Sequence, residues 1–370
     1  MDYFFDPNRL PSFLVPFVSL SYSVDRPLNV DSFPNSSYYD IGYLDICLIV
    51  TIIAIMAVLR DAARILLLEP FANWKLTRDW RRRQALKSGS STPDSKAGNA
   101  VSTKTNGRTN GRVTTIGSAE KLMADRPVEH SPEARRIRHA VIRFAEQGWQ
   151  AIYYLYQWSL GMYIHYYLPS NLWAGYPHIP LPGIVKAYYL MQISLFVHAV
   201  LLLNAEAPRK DHWQMMTHHV VTVILIVASY AYNFTRVGCL IMVIMDWCDI
   251  FLPLAKMLRY LSYQTACDVT FVWWMFSWVI TRHVLFCKAI ASTTWDGPKQ
   301  IEFGWWPERG HWFTKEVHQV FVSLLVFLEV IQSVWSYLIF GVAYRVLKGE
   351  GADDSRSDDE GEDEEVKKDR

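Results

Sequence analysis

One stretch of the sequence is uncharged for long enough to cross a membrane. Residues 212–235 contain no Lys, Arg, Asp or Glu over 24 positions. A helix needs about 20 mostly apolar residues to span the hydrocarbon core of a bilayer, so the stretch predicts a transmembrane helix. It is entered through the adjacent pair His218 and His219, and the next apolar run carries Asp246 and Asp249. Ionisable groups at membrane depth are costly and usually serve chemistry or transport.

Apolar residues are clustered along the whole chain. Of 370 residues, 51% are hydrophobic and 14% aromatic, while the charged residues gather at the ends and in one central block. This pattern predicts an all-α polytopic membrane protein with about seven transmembrane helices. The predicted spans lie at about 43–66, 148–168, 183–204, 213–232, 237–258, 269–290 and 318–344.

The sequence predicts five consecutive parts. A lumenal segment, 1–42, precedes the first transmembrane helix at 43–69. The basic segment 70–142 contains a stretch rich in Ser, Thr, Gly and Asn, which is typical of a flexible cytosolic linker. Residues 143–345 form the predicted catalytic membrane domain, and 346–370 form an acidic cytosolic tail.

The orientation in the membrane follows from the positions of Lys and Arg. Basic residues follow the first, third, fifth and seventh spans and precede the second, so that side is predicted to be cytosolic. The N-terminus is then lumenal and the C-terminus cytosolic. Lys367 and Lys368 match a dilysine signal for the endoplasmic reticulum. Asn35 begins a lumenal glycosylation sequon, whereas the sequon at Asn233 abuts the membrane and is predicted to be unused.

The five cysteines give no sign of a metal or disulfide framework. They lie in or beside apolar runs and form no CxxC motif, so free thiols are predicted. The net charge of +1 combines a basic central segment with the acidic tail. We expect the lipid bilayer, and no nucleic acid, as the environment of this chain.

Two neighbouring spans carry the residues that suggest chemistry. His218 and His219 lie in the first two turns of the fourth span, with Thr222 one turn deeper than His218 on the same face. Asp246 and Asp249 are three residues apart and therefore share a face of the fifth span. If the two helices pack together, imidazoles and carboxylates share one polar cavity. A histidine in that setting can accept a proton or attack a carbonyl.

Other ionisable residues in the spans have two interpretations each. Lys256 continues the stripe of Asp249 towards the cytosol, and Arg259 follows it. Both serve equally well as positive-inside markers or as an anion-binding pair. Arg282 and His283 in the sixth span are functional candidates or partners within the bundle, and no role for Glu329 follows from the sequence.

Three alternatives to catalysis by the paired histidines remain open. The histidines can be amphipathic residues at the membrane edge, and the carboxylates can form a structural ion pair. A metal-dependent membrane oxidase needs several histidine boxes, and the sequence has one adjacent pair, which argues against that class. A non-enzymatic lipid-binding or transport protein would also contain a polar cavity.

The ordered series of motifs resembles a known family. It is similar to the signature of the ceramide synthases, the longevity-assurance branch of the TLC-domain family, over about 143–344. Met245-Asp246 and Thr281-Arg282-His283 look like fungal members in particular. The sequence departs from the wider family at Met245, where animal members usually carry another histidine, and at Pro253, where many members carry glutamate. The series is Arg209-Lys210-Asp211, His218-His219 with Thr222, Arg236-Val237-Gly238, Asp246, Asp249 and Lys256.

The resemblance implies a fold and an activity. Six of the helices would form a TLC-type bundle that N-acylates a sphingoid base, sphinganine or phytosphingosine, with a long or very long fatty acyl-CoA. No metal or redox cofactor is required, and fungal relatives imply a small membrane accessory subunit and a homo- or heterodimer partner. The implied catalytic residues are His218, His219, Asp246 and Asp249. The implied substrate-binding residues are Lys210, Asp211, Thr222, Lys256, Arg259, Arg282 and His283.

Overall fold

The computed structural model describes residues 10–28, 30–89, 132–205 and 211–348. Within these ranges six helical segments are long and apolar enough to cross a membrane. The predicted class, an all-α polytopic membrane protein, is confirmed.

Helices make up almost all of the regular structure in these ranges. Short π-helical segments at Arg64–Leu68, Val279–Leu285 and Ser292–Asp296 join successive helices, so that 45–89 and 264–300 each form one continuous helical stretch. The helices are α1 Val15–Val18, α2 Asp45–Ala63, α3 Glu69–Gly89, α4 Pro132–Tyr167, α5 Gly183–Ala205, α6 His212–Ala231, α7 Thr235–Tyr260, α8 Gln264–Trp278, α9 Phe286–Ala291, α10 Gly297–Gln300 and α11 Lys315–Leu347.

The second predicted span, 148–168, lies within α4, a helix of 36 residues. This helix packs along α7, where the ring of Trp158 lies 4.6 Å from that of Trp247. Polar residues such as Gln150 and Gln157 lower its hydropathy, which is why α4 is not among the six apolar segments. Its length and position nevertheless make it part of the helix bundle.

The structure differs from the predicted linker, 70–142, at both of its ends. These ends are helical, because α3 continues the first transmembrane helix and α4 begins before the second predicted span. Leu76 of α3 and Phe144 of α4 belong to one buried apolar cluster, which explains why these helices form. The rest of the predicted linker, 90–131, and the tail from 349 to 370 with its dilysine pair lie outside the described residues.

A small sheet joins the N-terminal stretch to the bundle. The apolar segment 10–22 contains α1 and leads into three short antiparallel strands in the order β1-β2-β3. Tyr39 in the middle strand lies opposite Ser23 on one side and Leu181 on the other. The strands are β1 Ser23–Val24, β2 Tyr38–Tyr39 and β3 Leu181–Pro182.

A buried ion pair fixes the first helix against the bundle. The Nζ atom of Lys186 in α5 lies 2.7 Å from Oδ1 of Asp45 in α2. It also donates to the carbonyls of Ser21 and Asp40 at 2.9 and 2.6 Å. The Tyr230 hydroxyl of α6 donates to Oδ2 of Asp45 at 2.8 Å. Each charge is therefore compensated, as burial of charges requires.

Loops close the bundle at the end where α4 finishes and α5 begins. We call residues 168–182 and 301–314, together with the sheet, the cap. Aromatic rings fill it: Tyr176 stacks on Phe234 with ring centroids 4.9 Å apart, and Phe303 stacks on Phe313 at the same distance. The cap therefore has an apolar interior beside the end of the membrane bundle.

One histidine of the cap is held in its neutral form. Nε2 of His178 donates to the carbonyl of Ala174 at 3.1 Å, and Arg236, paired with Asp31, lies nearby. Burial, reinforced by the Arg236 charge, lowers the pKa of His178 to about 4. The imidazole is therefore uncharged at neutral pH.

Candidate active site

A cavity runs between α6, α7, the π-helical segment 279–285 and α11. Its polar part contains His218, Thr222, Asp246, Asp249 and Arg282. Most of the remaining lining is apolar and reaches the cap. Apolar lining residues include Phe196, Leu225, Met242, Phe234, Phe313 and Phe321. The cavity is therefore amphipathic, with reactive groups in one part and hydrocarbon surface in the rest.

The two paired histidines point to different places. His218 lines the cavity, its ring lies 5.1 Å from that of Trp335, and its carbonyl accepts the Thr222 hydroxyl at 2.8 Å. His219 is not among the lining residues; its ring lies 5.8 Å from that of Phe196. The buried Nδ1 atoms of both rings have no hydrogen-bond partner among the described residues. Of the two adjacent histidines, His218 is therefore the one placed to meet a molecule in the cavity.

The two carboxylates at the polar end have different partners. Asp249 forms an ion pair with Arg282, whose nitrogen lies 2.8 Å from Oδ1. Arg282 also donates to the carbonyl of Met245 at 2.8 Å, and its side chain is buried. Asp246 is buried as well, and its Oδ2 accepts the side-chain amide of Gln192 at 2.6 Å. A cation compensates the charge of Asp249, whereas a neutral group binds Asp246.

Two adjacent polar residues in the π-helical segment Val279–Leu285 have different neighbours. Arg282 faces the cavity, while His283 faces α11, where Nδ1 donates to Glu329 at 2.6 Å and Nε2 lies 2.6 Å from the Ser336 hydroxyl. His283, a predicted substrate-binding residue, therefore does not line the cavity, and Glu329 has a partner that the sequence did not reveal. π-Helical turns often occur at functional sites.

The predicted anion-binding residues lie away from the cavity. Lys256 and Arg259 are on the last turns of α7 and are not among the lining residues. Asp211 directly precedes α6 and does not line the cavity either. Lys210 lies outside the described residues.

Two polar residues near this cavity were missed from the sequence. His318 lines it, with Nε2 donating to the carbonyl of Thr293 at 3.0 Å, and Gln192 contacts Asp246 from behind. Both residues lie within apolar helices. The sequence could have indicated them only because each is a polar residue within a predicted span.

Comparison with known proteins assigns the fold. The family model described as the TLC domain matches residues 143–341, more than half of the chain. The chain belongs to the TLC-domain family. The matched range contains α5 to α9 and every described residue that lines the cavity.

Curated TLC-domain relatives carry names that describe one reaction. The chain is 43% identical over 239 residues to sphingosine N-acyltransferase lag1 of Schizosaccharomyces pombe, covering 62% of this chain and 61% of the relative. It is 36% identical over 255 residues to Ceramide Synthase FUM18 of Gibberella moniliformis, covering 60% of each chain. It is 31% identical over 222 residues to ceramide synthase 4 of Bos taurus, covering 58% and 54%. The chain thus spans about six tenths of the length of the first two relatives and less of the third.

Proposed function

We propose that this chain is a ceramide synthase that transfers the acyl group of a fatty acyl-CoA to the amine of a sphingoid base. The observation that carries the proposal is the cavity, in which His218 and two carboxylates share one space with a long apolar lining. The relatives named sphingosine N-acyltransferase and ceramide synthase support it.

The reaction requires a proton acceptor beside the amine. A long-chain amine is largely protonated at neutral pH and must lose a proton before it attacks a thioester. In the direct route, the ammonium first loses a proton to water, and His218 accepts a second proton from the nitrogen as the N–C bond forms. The imidazolium then returns this proton to the sulfur of CoA as the C–S bond breaks. The products are ceramide, free CoA and the proton first released to water, with no change of oxidation state, so the proposed reaction uses no redox cofactor. The proposed steps use protein side chains and no metal.

The acidic and basic residues around His218 fit roles in this reaction. Asp246 is suited to hold the substrate ammonium or to stabilise the imidazolium. The buried guanidinium of Arg282, held by Asp249, is suited to stabilise the negative charge that develops on the thioester oxygen. These three side chains line one cavity with His218.

The apolar lining fits a long acyl chain. Along α6 the cavity is lined from His218 to Ser229, which are 11 residues apart. At 1.5 Å per residue this part of the cavity extends for about 16 Å. We propose a long or very long acyl chain, the first part of which lies along α6 with the tail directed towards the cap.

An acyl-enzyme route has the same substrates and products as the direct route. In it, the imidazole of His218 attacks the thioester, CoA leaves, and the amine then attacks the acyl-imidazole. Mass spectrometry of protein incubated with acyl-CoA alone separates the two routes, because only the second gives a protein heavier by one acyl group.

We propose the endoplasmic reticulum as the location, with the cap on the lumenal side and the mouth near His218 facing the cytosol. This orientation lets CoA remain in water. An accessory subunit and a dimer partner are part of the proposal from the resemblance, and Lys210, Lys256 and Arg259 are candidates for the phosphates of CoA.

A glycosylation test checks the orientation. Asn35 lies exposed in a turn, whereas Asn233 is buried and donates to the carbonyl of Gly310 at 2.8 Å. In glycosylating cells, Asn35→Gln should abolish a glycosidase-sensitive mobility shift, while Asn233→Gln should leave it unchanged. A shift that survives Asn35→Gln would contradict the proposed use of Asn35.

The activity is tested with purified protein, acyl-CoA and sphinganine, together with any accessory subunit. We expect ceramide formation by the wild type. We expect a fall of about 10²–10⁴-fold in His218→Ala, the range of lost general-base catalysis. The matched control is His219→Ala, whose ring does not line the cavity and whose loss we expect to be less than about 10-fold.

Two results would contradict the proposal. Full activity of His218→Ala would remove the assigned base. No acyl transfer by the well-folded wild type, with the lipids still bound, would favour a lipid-binding or transport protein.

A further inference from the structure

A polar layer lies behind Asp246, on the side away from the cavity. Gln192 of α5 and Gln157 of α4 are both 0% exposed. Tyr188, one turn before Gln192 on α5, is also fully buried. None of these three side chains is among the cavity-lining residues, whereas Asp246 is. Asp246 therefore connects the layer with the cavity.

Helix packing places these residues at one depth. Gly161 of α4 lies so close to α5 and α7 that an added Cβ would be 2.6 Å from both the Tyr188 hydroxyl and Val243. The chain direction of α4 is opposite to that of α5 and α7. One turn away from the cap, Gln157 is consequently level with Gln192 and Asp246.

The amide of Gln192 has only one orientation that fits its surroundings. Its Nε2 donates to Oδ2 of Asp246 at 2.6 Å and to the Tyr188 hydroxyl at 3.2 Å. A primary amide has two N–H groups, so both are used. Rotation of the amide by half a turn would place its oxygen against the carboxylate of Asp246, which is repulsive. Tyr188 therefore helps to fix the amide that holds Asp246.

Buried polar groups of this kind carry a cost. Oε1 of Gln192 and both amide atoms of Gln157 are buried without a hydrogen-bond partner in the described structure. Unsatisfied polar atoms usually cost about 1–3 kcal/mol each, so a bundle selected for stability alone would favour apolar residues at this depth. The layer is explained more readily by a requirement on Asp246.

We propose that Gln192 is a positioning residue for acyl transfer, which rests on the proposed function. It binds one oxygen of Asp246 and leaves the other oxygen for the substrate or for His218. The amide is neutral, so it orients Asp246 without compensating its negative charge. Arg282 does the opposite for Asp249. The two neighbouring carboxylates are thereby given different strengths as acceptors in one cavity.

The test begins with Gln192→Met, which keeps the length of the side chain and removes the amide. We expect kcat for ceramide formation to fall about 10–100-fold, the usual loss when a residue that orients a reacting group is removed. KM for acyl-CoA and for sphinganine should change less than about threefold, because Gln192 does not line the cavity.

The matched control is Ser194→Ala on the same helix. Ser194 is equally buried, but its hydroxyl donates to the backbone carbonyls of Leu190 and Ile49, at 2.6 and 3.3 Å. The Ser194→Ala substitution removes a buried polar group that does not contact Asp246. We expect near-wild-type kcat per folded molecule.

Tyr188→Phe provides a second, milder variant. It keeps Gln192 and Asp246 and removes the hydroxyl that accepts the second N–H, so we expect kcat to fall about 3–10-fold. Because Tyr188 acts through the amide, the double variant with Gln192→Met should be no slower than Gln192→Met alone. Should Gln192→Met fail to fold, Tyr188→Phe decides the question.

The proposal is overturned by wild-type kcat in either folded variant, by a loss that appears only in KM, or by additive losses in the double variant. A loss in Ser194→Ala equal to that in Gln192→Met would also overturn it, since any buried polar deletion would then suffice. A wild type that forms no ceramide would contradict the proposed function instead, so the two failures are distinguishable.

Discussion

Two clusters of buried charge lie in this bundle, and they are built differently. At the cap end, Lys186 contacts Asp45 and two backbone carbonyls, and Asp45 also accepts the Tyr230 hydroxyl. In the cavity, the buried Nδ1 of His218 has no hydrogen-bond partner among the described residues, and Asp246 is bound by a neutral amide. We call the first cluster closed, because its ammonium and its carboxylate pair with each other, and the second cluster open, because it has unused hydrogen-bonding capacity beside the cavity.

The difference separates structure from chemistry among intramembrane charges. A charge whose partners are all within the protein contributes by holding helices together, and removing one partner leaves the other exposed to a low dielectric. A charge with unused capacity beside a cavity can interact with a substrate. The position of a charge within a span does not distinguish a structural charge from a catalytic one, since both place an ionisable group among apolar residues.

The largest expected effect on stability is in the closed cluster. Lys186→Met leaves Asp45 buried without its cation, and we expect a loss of about 3–5 kcal/mol in the free energy of unfolding. Thermal unfolding in detergent measures it, and ceramide formation per folded molecule should stay unchanged. Adding Asp45→Asn should recover part of the loss, because no uncompensated charge then remains. An unchanged melting temperature in Lys186→Met would contradict the structural role of the closed cluster.

Glu329 and His283 provide an intermediate case. Both ring nitrogens of His283 have partners, so we place this pair with the structural charges although it adjoins Arg282. Glu329→Gln should cost about 1.5–3 kcal/mol of stability, the value of a hydrogen bond to a charged group. We expect kcat to change less than about threefold. A large fall in kcat at unchanged stability would move the pair into the catalytic cluster.

The last expected effect is absent at neutral pH and appears only in acid, at the cap, where the partly buried His178 is held in its neutral form. Its folded pKa of about 4 lies below the ordinary value near 6.5. The stability it contributes is therefore present above pH 6.5 and is lost as the pH falls from about 6.5 towards about 4. Melting temperature against pH should fall in this window, and less steeply in His178→Gln. Identical pH profiles for both proteins would contradict this account of the cap.

Sequence periodicity was sufficient for part of the candidate site. The spacing of Asp246 and Asp249 predicts a shared face, and a cavity shared with His218 follows if their two consecutive helices pack together. The structure places these three residues in one cavity. Helix formation and local spacing depend on neighbouring residues, so a single sequence contains that information.

Contacts between helices could not be predicted in the same way. Whether His219 or His218 faces the cavity depends on the rotation of α6 about its axis, which is set by packing against other helices. Gln192 and Lys186 meet Asp246 and Asp45 across helices, 54 and 141 positions along the chain from their partners. The predicted stripe from Asp249 to Lys256 exists on α7, but the cavity does not extend along it.

The most direct test makes the same substitution, aspartate to asparagine, at one carboxylate in each charge cluster. Asp246 and Asp45 are almost equally buried, 2% and 3% exposed, and each becomes asparagine. For each variant, ceramide formation per folded molecule and the melting temperature are measured together. We expect Asp246→Asn to lose at least about 10²-fold in kcat with little change in melting temperature. Asp45→Asn should lose stability and keep its kcat. Equal losses of activity in both variants, or wild-type activity in Asp246→Asn, would contradict the distinction between closed and open charge clusters.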